Sequence, residues 1–289
     1  MTAFGYTFEP TRYVRARSYD FGYDHEVQIA LPPGYATSDR SYPVLWVMDG
    51  GGYLYTAVSA VSLFSTGQAI PEFIVVGVGD SSSFETFATR RLIDFFPMED
   101  LSVDSIGEVD VWSALPGGHA ADYLSFLVDE LRPSLESEFR MSPSEHTIAG
   151  LSGGGYFATY TLLTRPEAFA AYMIGSPPYS LGHAEIFEYE EKYAQEHTDL
   201  PANVYMAGGA KEIFEPGIAD LGIIESMVRM ASTLHLRRYP NLRLSCDVVD
   251  GATHTTMMGD LLRNGLPRLW GKADAVPVNM VDRMESIEG

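Results

Sequence analysis

The stretch IAGLSGGGYFA, Ile148 to Ala158, sets one hydroxyl, Ser152, among four glycines directly after a short apolar run. Gly150-Leu151-Ser152-Gly153-Gly154 fits G-x-S-x-G, a pattern that by itself describes only a tight turn. Here an apolar strand precedes it and a helical pattern follows, the context that turns such a serine into an exposed nucleophile. The chain must then bend sharply at Ser152 in a strained conformation, and the residues two before and two after it must have no side chain to collide. Gly150 and Gly154 meet that need. Gly153 offers an unobstructed N–H at the helix N-terminus, where the partial positive charge can meet an oxyanion forming on a substrate carbonyl.

A serine hydroxyl needs a base, and the base needs an orienting acid. In this type of architecture the chain order is Ser, then Asp or Glu, then His. His25, His119 and His146 precede Ser152 and fail that order. His183 and His197 fall in a long connection, and His235 falls in a helical pattern beside Arg237 and Arg238. His254 follows a terminal strand, in the loop VVDGATHTTM, and is the expected base. For the acid, AKEIFEPG after the strand NVYMAGG offers Glu212 and Glu215, and Asp250 lies four residues before His254. Glu212 is favoured, with Glu215 and Asp250 open and a plain Ser–His pair also compatible. A second oxyanion donor is expected after the strand leading into the first crossover helix. There VLWVMDGGGY supplies Gly50 to Gly52, and Gly51 is the choice.

Other chemistries lack their residues. GVGDSS at 77–82 begins like a dinucleotide fingerprint but has no third glycine, and neither H-E-x-x-H nor paired-cysteine spacing occurs. No cofactor and no metal are expected. The single cysteine, Cys246, cannot form an internal disulfide and reads as a packing residue in the run LRLSCDVVD.

The elements that must hold these residues are legible from hydrophobic pattern. Apolar runs at 43–49, 73–79, 146–152, 170–176, 203–209 and 242–249 are mostly continuous, as in strands buried on both faces. Helical spacing covers 53–64, 119–139, 155–164, 218–236 and 255–270. Strand then helix, repeated, predicts an α/β fold: a mostly parallel central sheet with helices on both faces. The more alternating segments at 11–23 and 27–35 are placed in antiparallel strands at an N-terminal sheet edge. Residues 1–271 read as one domain and 272–289 as a peripheral tail. The connections at about 98–117 and 177–201 are too long for simple turns, and the second is assigned as a lid insertion.

With 39 acidic against 19 basic side chains, the net charge of −20 repels phosphate backbones and anionic membrane surfaces, so nucleic acid is not an expected partner. The start, MTAFGYTFEP, has no basic n-region or apolar h-region, and no apolar run approaches the roughly 20 residues of a membrane span. A cytoplasmic protein acting on a small-molecule ester is expected, without a membrane; the oligomeric state stays open, a homo-oligomer included.

Together the segments YPVLWVMDGGGY, FIVVGVG, RRLIDFFP, GGHAADYLSFLVDELRPSLESEFR, HTIAGLSGGG, VYMAGGAKE and GATH resemble the branch of the α/β-hydrolase superfamily that holds esterase D, enterochelin esterases and mycolyl transferases. The likeness spans nearly the whole chain. It implies an α/β-hydrolase fold and a serine hydrolase of carboxylic esters working through an acyl-enzyme. Ser152 would be nucleophile, His254 base, Glu212 acid, and Gly51 and Gly153 oxyanion donors, with Arg91 and Asp94 in a structural role beside the site. Siderophore-cleaving members act on polyanionic iron chelates, whereas the assigned lid carries Glu185, Glu188, Glu190, Glu191 and Glu196 against Lys192 alone. Tyr179, Phe187, Tyr189 and Tyr193 would suit an apolar acyl or aryl group. The expectation is therefore a neutral small or medium ester. The alternatives are an acyltransferase using the same residues, a siderophore esterase, or a non-catalytic binding module.

Overall fold

The computed structural model describes residues 2–3, 6–13, 24–79, 84–101 and 117–271. Most of the 98–117 connection, residues 14–23 of the first aromatic segment and the tail 272–289 lie outside the described residues. Among the described residues, nine strands form one sheet: β1 (Thr2–Ala3), β2 (Tyr6–Tyr13), β3 (His25–Leu31), β4 (Tyr42–Met48), β5 (Ile74–Val78), β6 (Met141–Leu151), β7 (Ala171–Gly175), β8 (Asn203–Gly209) and β9 (Arg243–Val249). Their order is β1-β2-β3-β5-β4-β6-β7-β8-β9. β1, β2, β3 and β5 pair antiparallel in succession, and every pairing from β5 to β9 is parallel. The expected antiparallel edge is formed by β2 and β3; the segment 33–37 that the alternation had extended into is a short helical turn after Pro32.

β4, β5 and β7 are buried along their whole length, which is why their sequences are apolar without alternation. On one face, Leu45, Val47, Ala149, Met173 and Tyr205 pack under α1 (Gly50–Thr66) and α8 (Met257–Trp270). On the other, Val44, Trp46, Ile148, Tyr172 and Val204 meet α2 (Phe84–Phe95), α3 (Ala120–Ser125), α4 (Arg132–Glu138), α5 (Gly153–Thr164), α6 (Ile186–Glu196) and α7 (Ile223–Arg237). The helical pattern at 119–139 holds α3 and α4 joined through a wider π-type turn at Phe126–Leu131. Helix α2 was not expected, since Phe84–Phe95 mixes charged and aromatic residues with low mean hydrophobic content. Among the described residues, no helix is long and apolar enough to cross a membrane.

The strand order reverses at β4. From β4 the chain crosses to β5 on one side, then returns to β6 on the other, so α1 and α5 start side by side but lie on opposite faces. Such a switch point opens a crevice beyond the carboxyl ends of the strands, where ligands of open α/β sheets bind. It places the Gly50–Gly52 turn and the Ser152 turn together.

Midway along β6, six residues before that turn, His146 is sealed in the core. Trp46 Nε1 donates to its Nδ1 at 2.9 Å, so the imidazole proton sits on Nε2, 3.4 Å from Glu136 Oε1. Burial, helped by the nearby Arg132 charge, pushes the His146 pKa down to about 3. The folded state thus refuses a proton that the unfolded chain takes near pH 6.5, and this contribution to stability is present above that pH and is lost as pH falls toward 3. The expected outcome is a urea midpoint that declines on acidification through this window. His146→Gln, which keeps an acceptor for Trp46 but does not titrate, should flatten the decline when midpoints are measured at several pH values.

Candidate active site

Ser152 occupies the turn between β6 and α5 with φ 58° and ψ −121°, a left-handed conformation that a serine adopts at a cost of about 1–3 kcal/mol. Two close approaches hold it there. A Cβ on Gly150 would fall 2.1 Å from Gly154 O, and a Cβ on Gly155 would fall 2.4 Å from Gly175 O. Gly155 lies outside the G-x-S-x-G pattern, yet it admits β7 against the start of α5. Ser152 N donates to Gly175 O at 2.8 Å, closing the turn onto that strand.

Gly153 is the first residue of α5 and Gly51 the second of α1. Amides in the first turn of a helix have no partner within it, so both N–H groups are left without an intrahelical acceptor at helix ends that meet at the crevice. Asp49, left-handed at φ 57° and buried, precedes α1. Arg91 Nη2 donates to Asp49 Oδ2 at 3.0 Å and to Leu151 O at 3.2 Å, so one guanidinium ties the β4–α1 turn to the residue before Ser152. Burial pushes the Asp49 carboxyl up from its ordinary range, and the Arg91 charge opposes this. Asp94, three residues on, is buried 4.0 Å from His25 Nδ1.

The three candidate carboxylates separate. Glu212, in the turn Ala210–Ile213 after β8, is 2% exposed, and its Oε1 lies 3.3 Å from His254 Nδ1. Glu215 binds the same residue differently: its Oε2 accepts the His254 backbone N–H at 2.8 Å. Asp250 is exposed at the end of β9. Lys211 N also donates to Ala252 O at 3.0 Å, so the two loops are joined by backbone as well as side chains. The tautomer with the proton on Nδ1, donating to the carboxylate, is the one that leaves the Nε2 lone pair free. The side chain is 17% exposed, open to solvent on one side.

Sequence reasoning missed Ser176. It follows β7, is fully buried at φ 41°, and its Oγ donates to Glu212 Oε1 at 2.6 Å. Its neighbour Gly175 receives the Ser152 amide, so contacts run continuously from Ser152 through β7 to Glu212 and His254. The only sequence signal, a serine between a strand and Pro177-Pro178, has no motif value.

The segment at 177–201 is fastened to its neighbours by side chains. Its aromatic residues pack inward: Tyr179 meets Tyr156 with ring centroids 6.0 Å apart, Tyr189 meets Tyr160 at 5.2 Å, and Tyr193 meets Tyr239 at 5.9 Å. Phe187 lies under the Arg229 guanidinium at 4.1 Å. Glu190 is buried and holds Arg237 through two bonds of 2.8 Å. These side chains join α6 to α5 and α7, and Tyr179 and Phe187 also line a cavity with Asp220, Leu221 and Arg229. Cys246, on β9, is half-buried, and burial pushes its thiol up to about 11, so it is held protonated.

A mostly parallel sheet with a strained serine on its strand-to-helix turn and a histidine after the last strand is the α/β-hydrolase architecture. The family described as Putative esterase matches residues 18–274, and the chain belongs to that family. Ferri-bacillibactin esterase BesA of Bacillus subtilis is 28% identical over 179 residues, 59% of this chain and 60% of that protein's length. A siderophore triacetylfusarinine C esterase of Aspergillus fumigatus is 24% identical over 81% of this chain and 80% of its own. Among solved structures, the BES protein of Bacillus cereus superposes with a TM-score of 0.77 at 23% identity, covering 94% of this chain and 98% of that one.

Removing Arg91 would leave the Asp49 carboxylate buried without its partner. Arg91→Ala is expected to lose about 3 kcal/mol of unfolding free energy, and Asp49→Asn added to it should recover part of that loss, as read by urea denaturation of both variants.

Proposed function

We propose that this chain hydrolyses carboxylic ester bonds in a siderophore, with Ser152 as nucleophile, His254 as base and Glu212 as the acid that orients it. The observation that carries the chemistry is the 3.3 Å contact of His254 Nδ1 with buried Glu212 Oε1, reached from the strained Ser152 turn along the end of β7. In this reading His254 Nε2 takes the Ser152 proton as Oγ attacks the ester carbonyl. The amides of Gly51 and Gly153 receive the tetrahedral oxyanion. His254 returns the proton to the departing alcohol, leaving an acyl-enzyme, and then activates the water that releases the acid. Glu215 holds the His254 backbone, and Arg91 keeps the two oxyanion turns in register.

The substrate class is supported by the names of the relatives, which are siderophore esterases. The contrary argument, from the acidic segment at 177–201, weakens once Glu190 is committed to Arg237. A neutral ester keeps one observation in its favour, the net charge of −20, which opposes a polyanionic ligand at long range.

Turnover of p-nitrophenyl acetate, butyrate and octanoate is to be compared with that of iron-loaded and iron-free bacillibactin and triacetylfusarinine C. A kcat/KM higher on a siderophore supports the proposal; a preference for the simple esters overturns its substrate class. On the best substrate, Ser152→Ala and His254→Ala should each lose on the order of 10³-fold in kcat while remaining folded. Because the Debye length shortens to about 10 Å at 0.1 M salt, added salt should raise kcat/KM for a polyanionic substrate and leave that for a neutral ester unchanged.

A further inference from the structure

Ser176 makes two statements that do not fit a packing residue. Its backbone is in the left-handed region, at φ 41°, where glycine is the relaxed choice and a side chain is strained. Strain of this kind is offset only where the side chain makes a contact that glycine could not make. That hydroxyl is aimed at one atom: Ser176 Oγ donates to Glu212 Oε1 at 2.6 Å, in the range of a short charge-assisted bond, inside the protein where no water competes. Its backbone is fixed as well, since Ser176 N donates to Ala207 O on β8 at 2.8 Å.

The carboxylate it meets is unevenly served. Glu212 Oε1 accepts from both Ser176 Oγ and His254 Nδ1, whereas Oε2 is buried with no hydrogen-bond partner among the described residues. A carboxylate with both donors on one oxygen has its rotation decided by those donors. Take away the hydroxyl, and among the described residues the one polar contact left on Oε1 is the imidazole itself, at the longer distance of 3.3 Å.

We infer that Ser176 is a positioning residue of the hydrolytic site, acting through Glu212 to hold the carboxylate against His254 Nδ1. The inference rests on the reading of Ser152, His254 and Glu212 given above. Strain at Ser176 is then stored for function: the strand end is bent so that its side chain reaches the turn after β8 that carries the acid. The titratable or charged groups at the pair are His254 itself and Glu215 at the His254 amide, with the exposed Lys211 adjoining Glu212 in the chain. None of these supplies a donor to Glu212 Oε1.

Ser176→Gly separates positioning from packing, because it removes the hydroxyl and the strain together. The expected outcome is a melting temperature equal to or above that of the wild type, with kcat lower by about tenfold, the scale of one hydrogen bond to a charged group, and KM little changed. Loss of a donor to the carboxylate makes the Glu212–His254 pair more basic, so the acid limb of the kcat/KM profile should move to higher pH. Ser176→Ala, which keeps the strain, should show the same kinetic change without the gain in stability. In a Glu212→Gln background, Ser176→Gly should cost nothing further, since the serine works through that carboxylate. A kcat within twofold of wild type, an unmoved acid limb, or full additivity with Glu212→Gln would overturn the inference. If Glu212→Gln alone retains wild-type kcat, the acid assignment falls and takes the inference with it; if Glu212→Gln is impaired and Ser176→Gly is not, only the inference falls.

Discussion

Backbone pressed against backbone at the end of β6 is the constraint on which the rest depends. At Gly150 and Gly155 the main chains of β6, α5 and β7 approach too closely for any side chain, and that closeness forces Ser152 into its left-handed turn. It also brings the Ser152 amide onto Gly175 O, which sets where β7 ends and so where Ser176 and the turn holding Glu212 can lie. Strain at Ser152 is sustained because both flanking elements are buried and bonded along their lengths, leaving the turn no route to relax.

On the other side of the switch point, a buried ion pair does what glycine contact does on the first. Asp49 and Arg91 are taken out of water at a considerable desolvation cost, offset by the short guanidinium contact and by the carbonyl of Leu151. The pair makes the starts of α1 and α5 a single unit. Two helix N-termini from opposite faces of the sheet are thereby held at one separation, which is what a preorganised anion site requires.

How much of this could be read from sequence depended on range. The strands were legible because burial on both faces leaves a local apolar record, and the Ser152 turn was legible because its demands fall within six consecutive residues, Gly150 to Gly155. The choice among Glu212, Glu215 and Asp250 was not, since all three are acidic residues near strand ends, and they differ only in what they meet from elsewhere: one the imidazole, one the backbone amide of the same histidine, one solvent. Ser176 left no local trace, because a positive φ at a serine is imposed by β8 and Glu212, and Asp49 meets an arginine 42 residues away. The role of the aromatic residues at 179–193 was not legible for the same reason, as aromatic content is identical whether rings line a cavity, as Tyr179 and Phe187 do, or fasten α6 to its neighbours, as Tyr189 does.

The position of β9 has a consequence for how the protein fails. β9 is the last strand of the parallel run and is half-exposed for most of its length, whereas β7 is wholly buried, and His254 hangs on the loop that follows it. Partial opening is cheapest where few apolar contacts are broken. Peeling β9 away would carry His254 from Glu212 while the buried interior of the sheet stayed intact, so heat would take the proposed site apart before it melted the molecule.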